Sequence, residues 1–180
     1  MILKFDSDHE EVYLLEATGN RGVALNKWEY LRPHVGEDKF YTKLVLRHID
    51  FDRSDKMIDN LEQFLKEVLG KKYGLNVEKL KRRQTVAFSG SEKEPDRKLI
   101  NEDRTFFCSE LVAKACKVLG ILKNTDVSCG RFMPGDFSAR ASFLNPTDGT
   151  LIGEEQRIIV IDKPNEEAKW DAKLDEEMDK

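Results

Sequence analysis

The stretch RTFFCSELVAKACKVLGIL, Arg104–Leu122, decides how this chain is read. Leu111, Val112, Ala115, Val118 and Leu119 recur at helical spacing, which predicts an amphipathic helix with one apolar stripe. Gly120 stands where a left-handed residue commonly ends a helix. Cys108 lies at the start of the helix, on the same stripe, and two readings are open for it. Free cysteine is among the most buried residue types, so Cys108 reads as the last member of a core stripe. Alternatively, a thiol at a helix N-terminus sits where the dipole and the unpaired N–H groups favour thiolate, the nucleophilic form. Those N–H groups can also hold the oxyanion formed on an attacked carbonyl.

Working outward, 180 residues suffice for one domain with a proper core and are short for two. With 39% hydrophobic and 36% charged residues, the composition is that of a soluble globular protein. A net charge of −4 argues against nucleic acid as a partner, because phosphate binding needs a basic face. The one basic run, Lys79–Gln84, reads as a solvated element end. No apolar run approaches the roughly 18 residues of a membrane span, and MILKFDSDHEE does not read as a signal peptide. The three cysteines, Cys108, Cys116 and Cys129, lack the paired short spacing of a zinc site. Their odd number points to reduced thiols and a cytoplasmic location, and the expectation is no metal and no organic cofactor.

The N-terminal segments predict a β-hairpin, with MILKF and VYLLEA as strands around the polar turn DSDHEE. TGNRGV is a turn, and ALNKWEYLRP a short helix or irregular segment closed before Pro33. FYTKLVLRHIDF predicts a strand. A helix follows, capped by Ser54 or Asp55, with Met57, Leu61, Phe64, Leu65 and Val68 on one face and Gly70 at its end. Ser89–Lys98 reads as a charged surface loop, DVSCGRFMPGDFSAR as irregular chain, and QRIIVID as a last strand. Residues 163–180 form an acidic tail, a joint to a larger parent protein or a partner. The expected fold class is α+β, a small antiparallel sheet packed against helices over residues 1–162.

Four segments, in this order, resemble the circularly permuted papain-like amidases of the NlpC-type superfamily, which also holds lecithin:retinol acyltransferases. VYLLEATGNRGVALNKWEYL resembles the family's second strand and the turn after it. FLKEVLGKKYG resembles the helix ending in Gly-Lys-x-Tyr, FFCSELVAKACKVLGIL the nucleophile helix, and FMPGDF the Pro-x-Asp segment beyond it. The resemblance implies a permuted papain-like fold and a cysteine peptidase, amidase or acyltransferase with a thioester acyl-enzyme. Its substrate would be a peptide, an amide or a lipid ester. By the same resemblance Cys108 is the nucleophile and Glu16 the residue that orients the imidazole. On local chemistry alone Glu16 is also readable as an ordinary strand-end carboxylate. Tyr73 and Asp136 match family positions with packing and turn-forming roles.

The family's histidine belongs on the strand that precedes the first turn, a position upstream of Met1. The three histidines present are His9 in the acidic turn, His34 in a loop and His48 at a strand end. His48 is the weak alternative base, because it comes from a strand. The other functional reading is a non-catalytic binding or regulatory module of the same fold that lacks the histidine. Cys116 reads as buried and inert, and Cys129, beside Gly130, as a loop thiol. Glu110 suits the first turn of the helix and is expected to point away from the sulfur.

Overall fold

A computed structural model of the chain describes residues 1–4, 11–75, 105–123 and 127–160. The expected turn with His9, the basic run, the charged loop and the acidic tail lie outside the described residues. The architecture is mixed α+β, with two small antiparallel sheets and helices. The first sheet has the order β1-β2-β3, with β1 at Ile2–Lys4, β2 at Val12–Thr18 and β3 at Gly22–Lys27. The second is a ribbon of two strands, β4 at Leu44–Asp50 and β5 at Leu151–Ile158.

β1 and β2 pair antiparallel with Ile2 opposite Leu14 and Lys4 opposite Val12. Met1 extends the ladder, its nitrogen donating to the Leu15 carbonyl at 2.9 Å and its carbonyl accepting from Leu15 N at 2.8 Å. β2 and β3 form a tight hairpin from Tyr13 opposite Lys27 to Thr18 opposite Gly22. Gly22 has φ +69°, and a Cβ there would collide with the Lys71 carbonyl oxygen. That close approach is productive: Val23 N donates to Lys71 O at 2.8 Å and Gly70 N to Val23 O at 2.9 Å. The segment after the second helix is thereby laced to the outer edge of β3.

β3 occupies chain that the sequence assigns to a turn and a short helix. The helix exists only as α1, Trp28–Leu31, and continues through Pro33 as a 3-10 turn, Arg32–His34. Pairing with β2 along the whole hairpin outweighs the weak helical preference of Ala24 to Lys27. The last strand is also displaced toward the N-terminus, to Leu151–Ile158 instead of Gln156–Asp162. β5 is exposed along most of its length, so it has no apolar alternation to betray it. Its position is set by pairing with β4, Leu44 opposite Ile158 and Ile49 opposite Ile152, with a bulge between Arg47 and Ile49.

The second helix, α2, runs over Asp55–Val68, and Ser54 is its cap, its hydroxyl accepting from Met57 N at 3.4 Å. Phe64, Leu65 and Val68 are buried, and Gly70 at φ +80° stops the helix as expected. The third helix, α3, is Cys108–Val118. It ends with Gly120 at φ +70°, Gly120 N bonding Lys117 O and Ile121 N bonding Cys116 O. α3 lies between two halves of the core. Leu111 and Ala115 pack with Leu15, Ala17, Phe64 and Val68. Ala113, Cys116 and Leu119 pack with Ile121, Cys129 and Phe132. Cys129 is thus a fully buried core thiol in a 3-10 turn, Cys129–Arg131, and not an open loop residue.

Arg47 ties the ribbon to the chain beyond α3. Its Nε donates to Gly153 O at 2.8 Å and its Nη1 to Phe137 O and Ser138 O, each at 3.0 Å. Glu155, directly opposite Arg47 on β5, accepts from Ala139 N at 2.9 Å. Asp136 accepts from Met133 N at 2.7 Å, closing the Pro134–Phe137 turn. Tyr73 packs against the core beside a bridge to Phe106. Both residues have the structural roles that the sequence suggests.

Candidate active site

The entry to α3 is held rigidly. Phe106 N donates to Lys72 O and Gly74 N to Phe106 O, each at 3.1 Å. Phe107 is the N-cap residue, in extended conformation at φ −102° and ψ 166°. Phe106 is 1% exposed, Phe107 3%, Ser109 4%, Glu110 2% and Leu111 0%, yet Cys108 in their midst is exposed. Side chains on a helix lean toward its N-terminus. The Cys108 thiol therefore projects past the first turn, while Leu111 and Ala115, on the same stripe, cover the core. The core reading of Cys108 fails on this geometry.

The two residues after Cys108 anchor the turn. The Ser109 hydroxyl donates to Phe132 O at 2.7 Å in a buried setting. The Glu110 carboxylate reaches back to accept from Phe107 N at 3.4 Å, half of a capping box. Leu111 N donates to Phe107 O at 3.0 Å, the first bond of the helix ladder. Cys116 has the opposite character from Cys108, because burial pushes its thiol up to about 12 and keeps it protonated and unreactive.

Cys108 and Glu16 line one cleft of about 1040 Å³, which opens between the first sheet and the β4–β5 ribbon. Leu15 and Ala17 are buried against Leu111 and Ala115 of α3, so Glu16 and Leu14 lie on the opposite face of β2, and Leu14, Leu15 and Glu16 all line the cleft. The Glu16 carboxylate accepts from the Asn26 side-chain amide at 2.7 Å, and Asn26 in turn accepts from Arg21 at 3.4 Å. Asn26 was not legible as a partner, since only the β2–β3 register brings it beside Glu16. The α-amino group of Met1 is held below its usual range by burial, an effect opposed by Cys116, Glu16 and Cys108. Met1 lines the same cleft as Cys108 and Glu16.

His48 also lines the cleft and is exposed on β4 at the bulge. Among the described residues, no hydrogen bond or ion pair joins Cys108 to Glu16 or to His48. His34 is exposed in the 3-10 turn after α1. Among the described residues, no cluster of three or more His, Cys, Asp and Glu side chains could hold a metal ion. None of their helices is long and apolar enough to cross a membrane.

Comparison of the chain with protein-family models, with curated proteins and with solved structures gives no match.

Proposed function

We propose that the chain is a cysteine-nucleophile hydrolase or acyltransferase of permuted papain-like fold, acting on an amide or ester. The observation that carries this reading is the exposure of Cys108 at the head of a helix whose neighbouring residues are all buried. The thiolate attacks the carbonyl carbon, and the first-turn N–H groups of α3 receive the developing oxyanion. Collapse expels an amine or alcohol, which takes a proton from the general acid, and leaves a thioester on Cys108. Water or another acceptor then attacks the thioester and returns the thiol. Glu16, fixed by Asn26, is suited to orient an imidazole. That imidazole comes from His48, which lines the same cleft.

A second reading is a binding or regulatory module that keeps the cleft and lacks the base. It is favoured by the absence, among the described residues, of any hydrogen bond between a histidine and Cys108. Intact-protein mass spectrometry after incubation with an activated thioester separates the two. An acyl adduct confined to Cys108, which decays over time and is absent from Cys108→Ala, supports the enzyme. No adduct, or one spread over surface lysines, defeats it in favour of the binding module.

A further inference from the structure

The cleft follows α3 along the length of the helix. Cys108, Val112 and Leu119 line it at i, i+4 and i+11, a spacing that stays on one helical face. The helical rise puts about 16 Å between the first and the last of them. Exposure falls along this row: Cys108 is exposed, Val112 half-buried, Leu119 6% exposed and Ile121, just beyond, 2%. The thiol stands at the open end, and the far end runs into the core. Met57 and Leu61 of α2 also line the cleft and pack, with Val112, on the core half that holds Leu119 and Ile121. Among the described residues, no serine, threonine, asparagine or glutamine lines it. A buried ligand amide or hydroxyl costs free energy unless a partner satisfies it, so this lining suits hydrocarbon.

We propose that the cleft takes the hydrocarbon chain of an acyl donor, laid along α3 with its carbonyl carbon at Cys108. An extended chain advances roughly 1.2 Å per bond, so about 16 Å corresponds to roughly a dozen carbon atoms. This names the substrate class of the site and rests on the reading of Cys108 as a nucleophile. The thiolate forms a C–S bond to the acyl carbon, the bond from that carbon to the leaving heteroatom breaks, and the leaving group departs with a proton. The chain stays in the cleft as the thioester. Val112 governs entry of the chain, because it lies one turn from the thiol on the row that leads inward. Leu119 and Ile121 set the upper limit of length, because the row closes at them.

The test follows acylation of Cys108 in the full chain by intact-protein mass spectrometry. The donors are the acetyl, octanoyl, dodecanoyl and octadecanoyl thioesters of coenzyme A, each below its micelle concentration. Burial is worth about 3-fold per methylene, so the rate is expected to rise at least ~100-fold from acetyl to dodecanoyl and less than ~3-fold beyond. Val112→Phe is expected to lower the dodecanoyl-to-acetyl ratio at least ~10-fold by obstructing the row. Should that variant fail to fold, the wild-type series still decides. Equal rates for acetyl and dodecanoyl would overturn the proposal and leave the nucleophile standing. A rise that continues undiminished to octadecanoyl would mark unspecific partition and overturn it as well. If no donor acylates Cys108, calorimetry on Cys108→Ala separates the two readings. Dodecanoyl thioester bound at least ~10-fold more tightly than acetyl would keep the chain in the cleft and remove the enzyme reading alone, and equal affinity would overturn both.

Discussion

Three neighbouring substitutions in α3 should have sharply different consequences. Leu111 is 0% exposed in the core half formed with Leu15 and Phe64, so Leu111→Ala leaves a cavity and should cost about 3 kcal/mol. Ser109→Ala removes a buried donor and leaves the Phe132 carbonyl without it, a loss of about 2 kcal/mol. Cys108→Ala removes an exposed thiol and introduces a better helix former, so its effect should stay within about 0.5 kcal/mol of zero. With an m-value of about 2 kcal/mol/M in urea, the midpoint falls by roughly 1.5 M for Leu111→Ala and 1 M for Ser109→Ala. It hardly moves for Cys108→Ala. Urea melts followed by circular dichroism read all three. A midpoint loss for Cys108→Ala as large as that for Leu111→Ala would return Cys108 to the core stripe and refute the geometry of the site.

Gly22→Ala forces a left-handed residue and drives a Cβ into the Lys71 carbonyl. It should cost at least about 2 kcal/mol, or about 4–8 °C in Tm, whereas Gly70→Ala, with open space around it, costs about half that. Arg47→Ala removes three bonds to the carbonyls of Gly153, Phe137 and Ser138. It should destabilise by about 2 kcal/mol and speed amide exchange in residues 134–139 and β5, with α3 unchanged. The Cys116 thiol has its pKa raised from 9.0 to about 12 by burial, so its contribution to stability is complete below pH 9 and is lost as pH climbs toward 12. Between these limits the slope of stability against pH should be shallower in Cys116→Ala by about 1.4 kcal/mol per pH unit.

What could be read in the sequence was the local part of the fold. Ser54, the Met57-to-Val68 stripe and Gly70 define α2 through contacts within a few residues, and the same holds for α3 and Gly120. β3 was misplaced because its own residues carry no strand pattern, and β5 because its partner β4 is distant in sequence. Ala24 to Lys27 become a strand only against β2, and the polar Glu154-Glu155-Gln156 run only against β4. The outer face of β5 gives no periodicity, because little of it is buried. Two sheets replace one for the same reason, since ladder order is non-local. The family resemblance of their segments singled out Cys108 and Glu16, and both line one cleft. The exposure of Cys108 was not legible, because helical period puts it in phase with Leu111. Only the end of the helix takes it clear of the core. The burial of Cys129 likewise depends on Phe132 and Ile121 closing over a segment that reads as loop.

The most direct test of Cys108 as a poised nucleophile compares its alkylation in the folded protein with its alkylation in urea, both at pH 7, by peptide mass spectrometry. The other two thiols serve as internal references, being buried in the fold. The account predicts that folded Cys108 reacts at least as fast as unfolded Cys108, because its thiol is exposed at the head of α3, while Cys116 and Cys129 react only after unfolding. A Cys108 that reacts more slowly folded than unfolded, or no faster than Cys116, would contradict it.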